Sequence, residues 1–414
     1  MGAIPRIADF ADDFDPFTAL LTLGGEGHIA DPYPELARLR RTSPVQAMDL
    51  HSHFGVPKHV TIGDRPCYTI LGWEAVNQVL GTPADFPNTV YESNLGVTFG
   101  KTITAMDAPE HTRYRRLIQA AFTPKALQGY RAMFQSVVDR LVGKFAGHGR
   151  ADLVQAFALH FPFQFIMDLM GMDMDQRPTY HKIAVAQMCV SFDHRHGTEA
   201  SRILGEFLDE LVNQRRALKS DTDFVSVIAN AEVDGERLPQ EIVVSFFRQL
   251  MNAGGDTSYH GFSNMLSALL THPEQLEMVR RDRNLIPKAI EESLRWNGPL
   301  CAINRGVAHD IELAGTRIPQ GAYLHVCIGD ANRDESVFPD PDKFDITRPL
   351  RRHVAFGYGP HICIGQHLAR MELVLATNAL LDRLPNLRLD PDMPAPQIRG
   401  LTLRGAEHAH VRFD

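Results

Sequence analysis

The chain has 414 residues, 44% hydrophobic and 22% charged, the balance of an ordinary soluble globular protein and not of a disordered or fibrous one. Its 42 basic side chains against 50 acidic ones leave a net charge of −8, which argues against general nucleic-acid binding. The five cysteines (Cys67, Cys189, Cys301, Cys327 and Cys363) are odd in number, widely spaced and without a CxxC pair, so a disulfide framework is not expected. The start, MGAIPRIADFADDFDPF, lacks a cationic segment followed by a long apolar run, so neither a signal peptide nor a membrane anchor is expected. A cytoplasmic protein with reduced thiols is therefore expected. DPYPELARLRRTS predicts a helix after Pro34, and CYTIL (Cys67 to Leu71) a short strand. PEHTRYRRLIQAAFTP predicts a helix between Pro109 and Pro124, with acidic Glu110 in its first turn. Further helices are predicted over Glu199 to Ser220 and Pro273 to Arg283. The longest begins at Pro239 and ends near Thr271, a rod of roughly 50 Å. RGVAHDIELAGTRIPQGAYLHVCI alternates around Gly315 and Gly321 and predicts short antiparallel strands. QHLARMELVLATNALLDRL, after Gly365, is helical. The pattern is mainly α with a small sheet, as one continuous domain without repeats or linkers.

Three stretches carry chemistry. FGYGPHICIG (Phe356 to Gly365) surrounds Cys363 with Gly357, Gly359 and Gly365. These glycines permit positive φ and let backbone approach something flat. Amides turned toward the sulfur, at the start of a helix, would favour a thiolate. A thiolate held this way suits a metal. Nucleophilic catalysis is the competing use, and it needs a base that sequence does not place. His361 and His367 flank the cysteine, but structural zinc uses four ligands in paired spacings, and no second pair stands out. AGGDT (Ala253 to Thr257) interrupts the longest helix with two glycines, each costing about 1 kcal/mol against alanine. A tight helix crossing explains them; a planar ligand against that face is the alternative. There Thr257 would bond back to a carbonyl and bend the helix, opening a gap for a small molecule, and Asp256 beside it suits proton delivery. The pair Glu292/Arg295 has the ExxR spacing, which also occurs at Glu35/Arg38, Glu110/Arg113, Glu199/Arg202 and Glu277/Arg280. Such pairs are ordinarily solvated and contribute about 0.2–0.5 kcal/mol. Glu292 differs in lying between AGGDT and Cys363, with Arg348 downstream as a third partner. The cations His111, Arg115, Arg305 and His361 read singly as surface charge. Together they would clamp the two carboxylates of a ligand.

These pieces, in this order, resemble the cytochrome P450 family of haem-thiolate monooxygenases. FGYGPHICIG is similar to the family's F-x-x-G-x-[HR]-x-C-x-G, AGGDT to its A-G-x-[DE]-T, and Glu292-Ser293-Leu294-Arg295 to its ExxR. HTRYR resembles the H-x-x-x-R of the haem-propionate helix, ANRDESVFPDPDKFDITR the stretch that completes a Glu–Arg–Arg network, and GQHLAR the soluble bacterial branch. The resemblance spans about Asp31 to the C-terminus.

It implies a single domain over 1–414, with 1–30 as an N-terminal extension. The fold would be a triangular prism, mainly α with small β-sheets, holding haem b between a long central distal helix and the cysteine-loop helix. Cys363 would be the proximal thiolate ligand of the iron, with Gly365 in the ligand loop and Phe356 shielding the sulfur. His111, Arg115, Arg305 and His361 would hold the propionates. Gly254, Gly255 and Thr257 would line the oxygen side, and Asp256 with Thr257 would relay protons. Glu292, Arg295 and Arg348 would be structural.

The implied reaction inserts one atom of O2 into a hydrophobic small molecule (a terpenoid, steroid, aromatic or fatty acid) and reduces the other atom to water. The chain runs about fifty residues past Cys363 and shows no flavin or NAD(P)H domain. A ferredoxin with an NAD(P)H-dependent reductase is therefore the expected electron source, docking on Arg113, Arg116, Arg351, Arg352 and Arg370. Pocket segments by resemblance are Phe86 to Phe99, Met188 to Phe192, Gln249 to Ala253, Leu300 to Ile303 and Leu401 to Leu403. A monomer is expected. The rival readings are a peroxygenase of the same family and a non-catalytic haem sensor.

Overall fold

Proline punctuates this chain, and it marks where many of the helices begin. The computed structural model describes residues 4–23, 27–93, 95–191, 193–218 and 223–414. In chain order the framing helices are α1 (Pro16–Leu23), α2 (Tyr33–Thr42), α3 (Trp73–Gly81), α4 (Glu110–Gln119), α5 (Pro124–Val142) and α6 (Phe161–Leu169). They continue with α7 (Arg177–Ala186), α8 (His194–Leu218), α9 (Gln240–Thr271), α10 (Pro273–Arg281), α11 (Ile286–Asn297) and α12 (Gln366–Arg383). Helices α1, α5 and α10 have proline as their first residue, where its fixed φ fits and its missing N–H is not needed. The helix predicted from Glu199 begins five residues earlier, at His194; Ser220, its predicted end, lies outside the described residues.

The long helix is α9, 32 residues between Pro239 and Pro273, with Glu241 in its first turn. Its second half is buried almost all round, from Gly261 to Leu270, which marks it as a central element and not a surface one. Edge-to-face aromatics lock the neighbouring helices together: Phe161 of α6 meets Phe262 of α9 at 5.1 Å, and Phe134 of α5 meets Phe165 of α6 at 5.0 Å. No helix among the described residues is long and apolar enough to cross a membrane.

The labelled strands are β1 (Val45–Gln46), β2 (Cys67–Ile70), β3 (Arg150–Asp152), β4 (Ile303–Arg305), β5 (Tyr323–Val326), β6 (Arg388–Leu389) and β7 (His410–Arg412). The largest sheet has the order β1-β2-β5-β4. The alternating stretch around Gly315 forms an antiparallel hairpin, Ile311–Leu313 with Thr316–Ile318, and β4 runs antiparallel to β5. Strand β5 also pairs in parallel with β2, Cys67 opposite Tyr323 and Ile70 opposite Val326. That pairing joins segments some 250 residues apart, and no local pattern announces it. A second sheet, β6-β7-β3, holds the C-terminal strand against β3.

The N-terminal stretch packs on α7 and α8. Ile7 N–H donates to Gln176 Oε1 at 2.9 Å, Lys182 pairs with Asp9 at 2.9 Å, and Phe14 stacks on His196 at 3.8 Å.

Candidate active site

The loop before α12 presents Cys363. Its N–H donates to Phe356 O at 2.8 Å, which closes the loop on itself. Gly357 and Gly359 have φ of +75° and +74°, a conformation that costs a side-chain-bearing residue. A Cβ at Gly359 would also lie 2.6 Å from Leu80 O, so the loop is pressed onto the end of α3. Gly365 departs from expectation: its φ is −83°, and it caps α12 in an ordinary conformation. The amides of Gly365 and Gln366 both donate to the sulfur. Burial nevertheless pushes the Cys363 thiol above its ordinary range; the two amides, with Arg115 and Arg370, pull the other way. The helix start alone therefore does not secure the anion, and a cationic partner at the sulfur would complete it. The residue is exposed although it lies deep in the protein, so it opens onto an internal cleft. Phe356 lies under the Arg370 guanidinium, 4.5 Å from its ring centre.

The four basic side chains gather beside this loop, although His111, expected as a cation, is neutral near pH 7 because burial disfavours its charged form. The rings of His111 on α4 and His361 in the loop lie 3.9 Å apart. Arg115, one turn further along α4, donates to Ile362 O and lies within electrostatic range of the Cys363 sulfur. Arg305 on β4 is buried and donates to Asn304 O at 2.7 Å. Burial lowers the pKa of Arg115, Arg305 and His111, the last to about 4, with His361 and Arg115 adding repulsion at His111.

Sequence reasoning missed the organiser of this cluster, Asp107. It accepts the N–H groups of Asn88 and Thr89 and stands 3.5 Å from His361 Nε2. Its place just before α4 was the available signal.

Buried His111 Nε2 has no hydrogen-bond partner, and among the described residues neither Arg115 nor Arg305 forms an ion pair. Unpaired buried donors and cations beside an accessible sulfur are what an anionic, metal-centred ligand requires. These residues fit a haem with two carboxylates.

On α9, Thr257 Oγ donates to Ala253 O at 2.6 Å, the predicted back-bond, and the helix stays continuous. Ala253 is exposed in the middle of this central helix, the mark of a cleft along it. Burial raises the Asp256 pKa, partly offset by His260, whose Nδ1 lies 3.5 Å from Asp256 Oδ1. The glycines serve the helix crossing: a Cβ on Gly254 would meet Ile166 Cδ1 at 3.0 Å, and one on Gly255 would meet Phe163 at 2.4 Å. Both neighbours belong to α6. A second residue escaped sequence reasoning, Glu372, a buried carboxyl within apolar α12. Ser258 Oγ donates to it at 2.8 Å, and burial raises its pKa to about 8. The signal was one acid in an apolar run.

The ExxR pair sorts as its position suggested. Glu292 and Arg295 are buried and joined by two bonds of 2.8 Å; Arg348 adds a third at 3.2 Å, and the Asp345 N–H a fourth at 3.0 Å. Arg295 also donates to Asn332 O and Pro341 O, tying down the irregular stretch before the cysteine loop. Three of the other four ExxR pairs form on the surface. Glu110/Arg113 does not, because Lys101 takes Glu110 and Glu236 takes Arg113.

That last pair bears on the docking arginines. Arg113, Arg116 and Arg370 are already bound by Glu236, Asp234 and Glu291. Arg351 donates to Val337 O and Arg352 to the Asn77 amide oxygen, and among the described residues neither pairs with a carboxylate. Among the pocket segments, a Leu300–Leu403 bridge joins two, and Thr104 Oγ donates to Gln249 at 3.1 Å from beside a third. Phe86 and Leu401 are fully buried in other cores and do not line a cleft; Phe192 lies outside the described residues.

A loop built to expose one sulfur, propionate-type cations and a central helix with a buried acid define a haem-thiolate oxygenase. The family model for cytochrome P450 matches residues 34–403, and the chain belongs to that family. Its cofactor is haem b. The cytochrome P450 monooxygenase PikC of Streptomyces venezuelae is 33% identical over 397 residues, covering 92% of each chain. The steroid C26-monooxygenase of Mycolicibacterium smegmatis is 34% identical over 314 residues, 74% of this chain and 78% of the relative. The solved structure of the Bacillus subtilis bacillaene polyketide synthase cytochrome P450 PksS superposes with a TM-score of 0.83 at 28% identity, covering 93% of this chain and 97% of that one. The protein is a P450 monooxygenase.

Proposed function

We propose that the chain hydroxylates a hydrophobic small molecule, taking electrons from a separate ferredoxin and its NAD(P)H-dependent reductase. Haem b, when bound, supplies the activation of O2. Cys363 would hold the iron, and His111, Arg115, Arg305 and His361 the propionates. Asp256, kept protonated more readily by burial, passes a proton toward the Thr257 hydroxyl, whose oxygen is anchored on Ala253 O. The Ser258–Glu372 bond keeps the next turn of α9 fixed to the helix that follows the cysteine.

The carrying observation is the accessible sulfur of Cys363 beside Arg115 and Arg305, which form no ion pair among the described residues, and buried His111, whose Nε2 has no hydrogen-bond partner. Relatives that act on a steroid and on 6-deoxyerythronolide B support a hydrophobic substrate. The absence of a membrane-crossing helix among the described residues agrees with a cytoplasmic protein. The test is the visible spectrum of the reduced, CO-treated protein. A thiolate-type band is expected in the native chain and none in Cys363→Ala; an unchanged band in the variant refutes the assignment. Product formation with a surrogate ferredoxin system then tests the electron source against direct peroxide use.

A further inference from the structure

Outside the haem site, the C-terminal sheet assembles three side chains with metal-ligating atoms. We infer that Asp152, His408 and His410 form a binding site for a divalent transition-metal ion of the zinc class. The pairing of β7 with β3 sets His410 directly opposite Asp152. His408 comes two residues earlier, just before β7, with the Ala409 N–H between the two held on Asp152 Oδ1 at 3.0 Å. The two imidazoles lie nearly parallel, 5.4 Å between centres and 8° between planes. Both bring Nδ1 near one oxygen: Asp152 Oδ2 is 2.6 Å from His408 Nδ1, in hydrogen-bond range, and 4.0 Å from His410 Nδ1. All three candidate ligand atoms lie within 4.8 Å of one another. Metal–ligand bonds of about 2.0–2.1 Å in a tetrahedral site put ligand atoms roughly 3.3 Å apart, and the two measured separations bracket that value.

The carboxylate is prepared for this task. Asp152 Oδ1 accepts the N–H groups of Ala409 at 3.0 Å, Val154 at 3.1 Å and Gln155 at 3.4 Å. One oxygen is thereby fixed by backbone, and the other is aimed at the imidazoles, the outer-shell support that ligating carboxylates use. Burial opposes ionisation, but the Ala409 amide and His408 outweigh it and hold the Asp152 carboxyl below its ordinary range. His408 is 58% exposed, so an ion and a water in the fourth position have access. On binding, the ion replaces the proton between His408 and Asp152, and each imidazole carries its remaining proton on Nε2. The other triad of this kind, Asp49, Cys67 and His325, is less suited. There Asp49 Oδ1 serves Ser52 and Oδ2 serves buried His325. An ion at Asp152 would fasten the C-terminal strand to β3, independently of the haem.

The experiment uses the haem-loaded full chain, stripped with a chelator, titrated with zinc chloride and desalted. Zinc and iron are then counted separately by elemental analysis. One zinc per chain beyond the iron is expected, with a melting temperature that rises with zinc concentration. His408→Ala and His410→Ala should each weaken binding on the order of tenfold or more. Asp152→Asn keeps an oxygen for the three backbone amides, so it removes the ligand charge without removing the local fold; it should weaken binding similarly. Binding should also fade as pH falls through the imidazole range, near about 6.5. Zinc content unchanged in the His408→Ala/His410→Ala double variant, or no uptake by the native chain under a large zinc excess, overturns the proposal. Unaltered haem absorption in the variants confirms that they are folded.

Discussion

Thr257 carries one hydroxyl, and its bond to Ala253 O decides what that hydroxyl can do. With its proton donated to the carbonyl, the oxygen keeps its lone pairs toward the cleft and accepts from a neighbour. Replacing it with alanine removes the acceptor but leaves Cys363 and the four basic side chains in place. Thr257→Ala should therefore retain haem and divert electrons to peroxide, read as a fall in product formed per NAD(P)H consumed. Unchanged coupling would remove Thr257 from the relay. Asp256→Asn removes the proton carrier itself, and turnover should fall on the order of a hundredfold with the spectrum intact. Both residues were legible in AGGDT as a motif. Asp107 was not, because its role is to sit among cations contributed by a loop, a helix and a strand.

Helix α9 crosses α6 where Gly255 meets Phe163. Alanine there would gain about 1 kcal/mol of helix propensity. Its Cβ would fall 2.4 Å from the ring of a buried phenylalanine, and overpacking of that kind costs about 1–3 kcal/mol. Gly255→Ala should lower the melting temperature, whereas Gly254→Ala, which meets only the end of Ile166, should cost less. A higher melting temperature for Gly255→Ala would show that the crossing yields. The contact between α9 and α12 carries a pH signature. Glu372 titrates near 4.5 when unfolded and at about 8 when folded, so the folded state holds the proton more tightly. Its contribution to stability is full below the unfolded value and is lost as pH rises through about 8. Glu372→Gln should flatten the fall in melting temperature between those two limits; an unchanged slope would mean another group is responsible.

Over the molecule as a whole the charge is −8, yet Arg352 and Arg370 stack on Tyr358 and Phe356 of the cysteine loop. Pairing decides which of them an acidic partner meets. Arg113, Arg116 and Arg370 are neutralised in place, whereas Arg351 and Arg352 hold no carboxylate among the described residues. Arg352 is further stiffened by stacking on Tyr358 at 4.1 Å. Charge reversal at Arg351 and Arg352 should slow reduction by a ferredoxin and flatten its dependence on ionic strength, while Arg113→Ala should change it little. Reduction rates indifferent to salt in the native chain would exclude electrostatic docking.

Sequence by itself determined the helical class, the span of α9, the sulfur that faces the cleft and the Glu292–Arg295–Arg348 network. Each is written in a local period, a proline or glycine boundary, or a short motif with its own geometry. Tertiary structure alone decided the parallel pairing of β2 with β5, the packing of Gly255 on Phe163, the place of Asp107 among the basic side chains, the burial of Glu372 and the facing of Asp152 with His408 and His410. Those depend on segments far apart in the chain arriving at one place, and on which charges are already paired there. Neither is recorded in the order of residues along a single stretch.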